Sequence, residues 1–201
     1  MVYAPFPNET LHWLSDNSVY SILGNTDRKI VKLLKGRTFK KPSKPDKRIM
    51  YTWTAAQLDS KSKEFILSLK KTGSIEGNGY SLGIFHGSPQ DPDEFLSPNT
   101  PPAHFSRLAS LTAADIIITG HSHYPYHIKS NDHHFINPGS VGRMFDSNPA
   151  ASCAVLTITN GRVVTEFYRI SWLIDETVMA IKKHNLPKIY ERMYQMGRKL
   201  N

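Results

Sequence analysis

Three short polar segments carry side chains suited to divalent metals: Gly24-Asn25-Thr26-Asp27, His86-Gly87-Ser88-Pro89 and Gly120-His121-Ser122-His123. Each follows an apolar run that reads as a buried strand, over 18–23, 80–85 and 115–119. In open α/β sheets, ligands bind beyond the carboxyl ends of strands. Three such ends offering Asn, His and His-x-His therefore predict one convergent site. Neutral imidazole binds Zn, Mn, Fe or Ni, and the Asn carbonyl adds a harder oxygen ligand. The two imidazoles of His121-Ser122-His123 need not share one ion, and in a loop they can serve two neighbouring ions. A two-metal centre can clamp a phosphate and produce a hydroxide nucleophile near neutral pH. Each segment alone is a weak signal. Their order, each at the end of an apolar strand, carries the inference.

The other histidines fail that test. His12, His104 and His184 fall on predicted helices and His127 in a predicted hairpin, so we read them as structural or solvated. Asp132-His133-His134 is a literal Asp-x-His, but it reads as a surface turn. The one cysteine, Cys153, sits in the apolar run 151–156 and reads as a buried core thiol. A lone cysteine makes no intrachain disulfide, which suits a reducing cytoplasm.

The elements that must position these residues are legible in outline. A helix starts near Pro7, with Leu11, Leu14 and Trp13 as its apolar face, and a second covers 27–34. A basic, proline-containing loop spans 37–47. Periodicity predicts a helix over 55–69, with Leu58, Phe65, Ile66 and Leu69 on one side. A strand at 80–85 follows the Asn78-Gly79 turn, 88–102 is a loop, and 104–111 a short helix. Hairpins are expected at 126–136 and around Asn160-Gly161, the latter a strong turn signal. Helices at 176–183 and 188–199 close the chain. Strands alternating with helices, then hairpins, indicate an α/β sheet core with an antiparallel portion. We read 1–201 as a single domain without repeats.

The chain has 201 residues and a formal charge of +8. No apolar stretch reaches the roughly 20 residues of a membrane span, and Met1 to Pro5 shows no signal peptide. The positive balance favours anionic partners such as phosphorylated metabolites, nucleotides or nucleic acid. Lys40, Lys41, Lys44 and Lys47 concentrate it, but no stacking aromatics interleave them. A solvated loop is therefore favoured over a nucleic-acid patch.

With the segment Asn137-Pro138-Gly139-Ser140-Val141-Gly142, the three motifs resemble those of the calcineurin-like metallophosphoesterases, specifically the small single-domain bacterial and archaeal group. The resemblance spans nearly the whole chain. It implies an αββα sandwich and a binuclear centre, in which Asn25, His86 and His121 bind one metal and His123 the other. It also places Asn25, Asp27 and Arg28 among the catalytic candidates. Arg28 would contact a substrate phosphate bidentately or be an exposed arginine at a helix start. The resemblance makes residues 137–142 a tight loop supporting the site, but a purely structural turn at Pro138-Gly139 is the favoured reading.

Two departures from the family pattern stand out. Thr26 occupies a position usually held by a histidine thought to assist the leaving group, and threonine is no acid near pH 7. The family's opening Asp-x-His and Gly-Asp motifs are not found before Asn25, and Met1 to Pro7 resembles the stretch that follows Gly-Asp. The expected fold is thus N-terminally incomplete, lacking a first βαβ unit. Of the two ions in the complete family site, at most one would be held here, weakly; Mn or another transition metal such as Zn, Fe or Ni is expected. The expected activity is metal-dependent hydrolysis of a small phosphomonoester or phosphodiester, impaired in this chain. The alternative is a non-catalytic interaction module on the same fold, as in the retromer subunit that resembles this family.

Overall fold

The computed structural model describes residues 4–39 and 44–200. The expectations for Met1 to Tyr3 and for Lys40 and Lys41 lie outside the described residues. The chain gathers into two compact units, residues 1–71 with 173–192, and 72–172 with 193–201.

The first unit is helical. It holds α1 (Pro7–Asp16), α2 (Asn25–Leu34), α3 (Pro45–Gln57) and α4 (Ser60–Ser68). Leu11, Ile30, Tyr51, Leu58 and Ile66 form its core, while Trp13, expected on the apolar face of α1, is 62% exposed. The expected helix 55–69 is two helices. Asp59 stops one and starts the next, because its carboxylate accepts the Ser62 N–H at 2.8 Å as an N-cap. Asn8 on α1 pins the break from both sides, donating to Gln57 O at 2.9 Å and accepting from Asp59 N at 3.1 Å. The basic loop is also shorter than expected. Pro45 occupies the first turn of α3, where its missing N–H costs nothing, and Lys47 is already helical. Residues 18–23 do not form a buried strand. Ile22 makes one isolated parallel bridge to Lys70, Tyr20 is 56% exposed, and Ser18 has a positive φ. α6 (Ile174–Lys183) lies in this unit, and α7 (Ile189–Met196) begins in it.

The second unit is built on a five-stranded mixed sheet in the order β1-β2-β3-β5-β4. Its strands are β1 (Gly73–Gly77), β2 (Tyr80–Ile84), β3 (Ile116–Ile118), β4 (Tyr126–Ser130) and β5 (His133–Asn137). β2, β3 and β5 run parallel, while β1 and β4 pair antiparallel at the two edges. The all-isoleucine β3 is central, as expected of a strand covered on both faces. α5 (Pro102–Ala109) contributes Phe105 and Leu108 to a core with Ile117, Tyr126 and Phe135. β6 (Ala151–Thr159) and β7 (Arg162–Ile170) form a separate two-stranded sheet. Cys153 on β6 is half-buried rather than a core thiol. His133 and His134 belong to β5, so only Asp132 of the expected Asp-x-His turn lies in a turn.

Candidate functional site

The parallel strands β2, β3 and β5 end side by side, and each delivers part of one cluster. β2 runs out into His86, β3 into Gly120 to His123, and β5 into Asn137. The Gly120 N–H donates to His86 O at 2.9 Å, joining the first two ends. Across that joint, His86 Nε2 and His121 Nδ1 stand 3.1 Å apart with the rings edge to face.

The two nitrogens are at hydrogen-bond distance, one ring donating to the other. Imidazole–Zn bonds of about 2.0–2.1 Å, meeting at the roughly 90–110° of tetrahedral or octahedral coordination, put two nitrogens about 2.8–3.4 Å apart. The observed distance therefore also suits a metal in place of the shared proton. His123 is prepared differently. Its Nδ1–H donates to Arg143 O, which leaves Nε2 as the lone-pair nitrogen. Its ring stacks on Phe145, with centroids 4.4 Å apart and 12° between planes. Burial first of all, and then the nearby Arg143 guanidinium and the other two imidazoles, push the His123 pKa down to about 3, against the upward pull of the Arg143 carbonyl. It is therefore neutral at pH 7, the form a metal requires.

The loop that presents these histidines is strained. His121 and His123 have φ of 59° and 60°, a region that costs a non-glycine residue roughly 1–2 kcal/mol. Asn137 holds it in place. Fully buried, its Nδ2 donates to Gly120 O at 2.8 Å and to Ser122 Oγ at 3.1 Å, while its Oδ1 accepts from Gly139 N at 2.9 Å. The expected 137–142 turn is present, and its first residue also reaches back to bond the 120–122 turn. Gly139 is required there by its φ of 87°, and a Cβ would meet Ser152 at 2.6 Å.

The other candidates lie in the first unit. Asn25 is the first residue of α2, so the expected polar loop 24–27 is largely a helix start. Asp27 is buried, and one of its carboxylate oxygens accepts from Gly24 N at 2.8 Å, which caps that helix. Arg28 is half-buried rather than exposed, with its backbone N–H bonded to Gly24 O at 3.0 Å. Among the described residues, no group of three or more His, Cys, Asp or Glu is disposed to hold a metal ion. The His86–His121 pair brings together two imidazole nitrogens at the joined ends of β2 and β3.

The histidines set aside from the sequence have local partners. His104 Nε2 pairs with Glu94 at 2.6 Å and His12 with Asp59 at 2.9 Å, while the His184 ring lies 5.1 Å from Trp53. His127 Nε2 and His134 Nδ1 meet at 2.8 Å across β4 and β5. Several residues escaped the sequence reading: Phe95, whose ring lies edge-on to His121, together with Arg143, Phe145 and Lys199. Arg143 and Phe145 directly follow the recognised 137–142 loop, which was their only signal.

Parallel strands carrying imidazoles to one end of a mixed sheet define an α/β fold of the metallophosphoesterase type. Two solved structures share it. A metallophosphoesterase from Sphaerobacter thermophilus matches with a TM-score of 0.76 and 22% identity, over 97% of this chain and 84% of its own. A hypothetical protein from Pyrococcus horikoshii matches with a TM-score of 0.85 and 17% identity, over 99% of this chain and 82% of its own. No curated protein matches. The chain belongs to the calcineurin-like phosphoesterase superfamily, whose domain model matches residues 5–161. Among the described residues, no helix is long and apolar enough to cross a membrane.

Proposed function

We propose that this protein is of the metal-dependent phosphoesterase type, acting on a small phosphomonoester or phosphodiester, with turnover impaired in this chain. The observation that carries the reading is the His86–His121 nitrogen pair, 3.1 Å apart at the ends of adjacent parallel strands. His86 and His121 would hold an ion, Mn or a neighbouring transition metal. His123 would offer Nε2, its tautomer set by Arg143 O. When bound, the metal supplies Lewis acidity toward a phosphoryl oxygen and lowers the pKa of water. The protein's own part is to hold the imidazoles in register, through Asn137 and the strained 120–123 turn. Asn25 as a further ligand and Arg28 as a phosphate contact rest on the family motif. Asp27 acts as a positioning residue through its bond to Gly24. A cytoplasmic location suits the free cysteine.

The test is hydrolysis of a generic chromogenic phosphodiester and its monoester by the full chain, titrated with Mn, Zn, Fe and Ni. Turnover that appears with metal and is lost in His121→Ala supports the reading. Full metal occupancy without turnover of either ester sinks it. That outcome would favour a non-catalytic interaction module on the same fold.

A further inference from the structure

The C-terminal tail after α7 is docked beside the histidine cluster. Gly197 O accepts from Ser147 N at 2.9 Å, and Arg198 Nε donates to Ser147 Oγ at 2.7 Å. Gly197 has a φ of 58°, and a Cβ there would meet the Asn148 backbone at 2.5 Å, so only glycine allows so close an approach. The docking delivers Lys199 to a defined place. Its ammonium stands 5.9 Å from the ring centroids of both Phe95 and Phe145. Phe145 is the ring stacked on His123, and Phe95 lies edge-on to His121 at 6.3 Å. A second cation, the Arg143 guanidinium, lies 5.2 Å from the Phe145 centroid.

Two carboxylates from neighbouring sequence are paired: Glu94 with His104, and Asp146 with Arg169. Lys199 and Arg143 both stand against the Phe145 ring that stacks on His123. An exposed lysine normally keeps its rotamer freedom, and ordering it costs up to about 2 kcal/mol of entropy. Here the ammonium already rests against the Phe95 and Phe145 rings before any ligand arrives.

We propose that Lys199 binds a phosphoryl oxygen of the substrate at this site. The proposal rests on the phosphoesterase reading and adds a residue to it. An ammonium bonded to a phosphoryl oxygen sits about 4 Å from the phosphorus, and salt screening in a water-like medium leaves that attraction worth roughly tenfold in affinity.

The experiment is calorimetric titration of inorganic phosphate into the full chain at low salt and pH 7.5, without added metal. Lys199→Met should weaken binding about tenfold, and Lys199→Arg should stay within about threefold of the parent. Gly197→Ala, which undocks the tail, should behave like Lys199→Met. Lys129→Met on β4 makes the same change in net charge and should leave binding unaltered. Equal affinity in Lys199→Met and the parent overturns the proposal, as does an equal loss in Lys129→Met or no phosphate binding by the parent. Phosphate binding that depends on Lys199 in a protein without metal-dependent turnover would sink the hydrolase reading alone. Turnover with phosphate affinity indifferent to Lys199 would sink this inference alone.

Discussion

Replacing Asn137 by alanine tests the account of how the histidine turn is held. The side chain is fully buried and makes three hydrogen bonds, to Gly120 O, Ser122 Oγ and Gly139 N. Each is worth about 1 kcal/mol net, and each partner left buried without a replacement costs roughly 1–3 kcal/mol. Ser122 Oγ is fully buried, whereas water can reach part of the surrounding loop, so a total loss of about 3 kcal/mol is expected. The effect should reach the proposed metal site. His121 and His123 occupy positive φ only because their turn is over-determined by such bonds. Released, the turn relaxes and the 3.1 Å spacing of His86 and His121 is lost. Loss of an orienting partner of this kind lowers metal affinity by about 10–100-fold. Urea denaturation gives the first quantity, and Mn titration under folded conditions gives the second. Asn137→Asp separates the two roles, since a carboxylate keeps the bond from Gly139 N but cannot donate to both Gly120 O and Ser122. It should retain part of the stability and still lose metal affinity. Stability within about 0.5 kcal/mol of the parent together with unchanged Mn affinity in Asn137→Ala would refute the reasoning.

Three further outcomes follow from other parts of the molecule. Gly87→Ala places a Cβ 2.5 Å from Asp91 O and 2.7 Å from Glu94 N, both backbone atoms; it should cost about 1–3 kcal/mol in urea unfolding, and a neutral result would show that the 88–94 loop yields freely. Asp59→Ala removes the N-cap that divides α3 from α4 and should cost about 1 kcal/mol, with Asp59→Asn restoring most of it. Burial lowers the pKa of both His127 and His134 from 6.5. The unfolded chain therefore takes up protons first as pH falls, so stability is full above about 6.5 and declines until the lowered folded values are passed. Urea midpoints between pH 7.5 and 5 should fall less in His134→Gln than in the parent, and equal slopes would remove the pair from the acid response.

The sequence showed the outline of this fold wherever local chemistry decided the structure. Asn160-Gly161 and Asn131 turn their hairpins as expected, with φ of 50°, 73° and 54°. Asn78-Gly79 turns a hairpin too, but only β2 was anticipated. β1 reads Gly-Ser-Ile-Glu-Gly and is largely exposed, so it lacks the apolar alternation that marks a strand. The division at Asp59 was hidden for a related reason. The apolar spacing of Leu58, Phe65 and Ile66 continues across it, and the clamp by Asn8 comes from 51 residues away. Residues 18–23 failed in the opposite direction. Their composition suits a strand, but a strand also needs a partner along its length, and the described residues provide only the bridge from Ile22 to Lys70.

The histidine cluster was legible as chemistry but not as an arrangement. Residue type and position at strand ends picked out His86, His121 and His123 because a parallel sheet brings such ends together whatever the loops do. What makes those imidazoles usable lies in contacts that no spacing rule encodes. The Arg143 carbonyl sets the His123 tautomer, Asn137 reaches back across the β3–β5 pair to hold the turn, and Phe145 covers the His123 ring. Lys199 is the extreme case, since it lies 76 residues beyond His123 in a tail that reads as the end of a solvated helix. Its placement depends on Gly197 accepting a positive φ against the Asn148 backbone. A lone glycine near a helix end signals only that the helix stops. That the stop also aims a cation follows from the Ser147 loop it meets, and so the charge around the site belongs to the folded chain rather than to any motif in it.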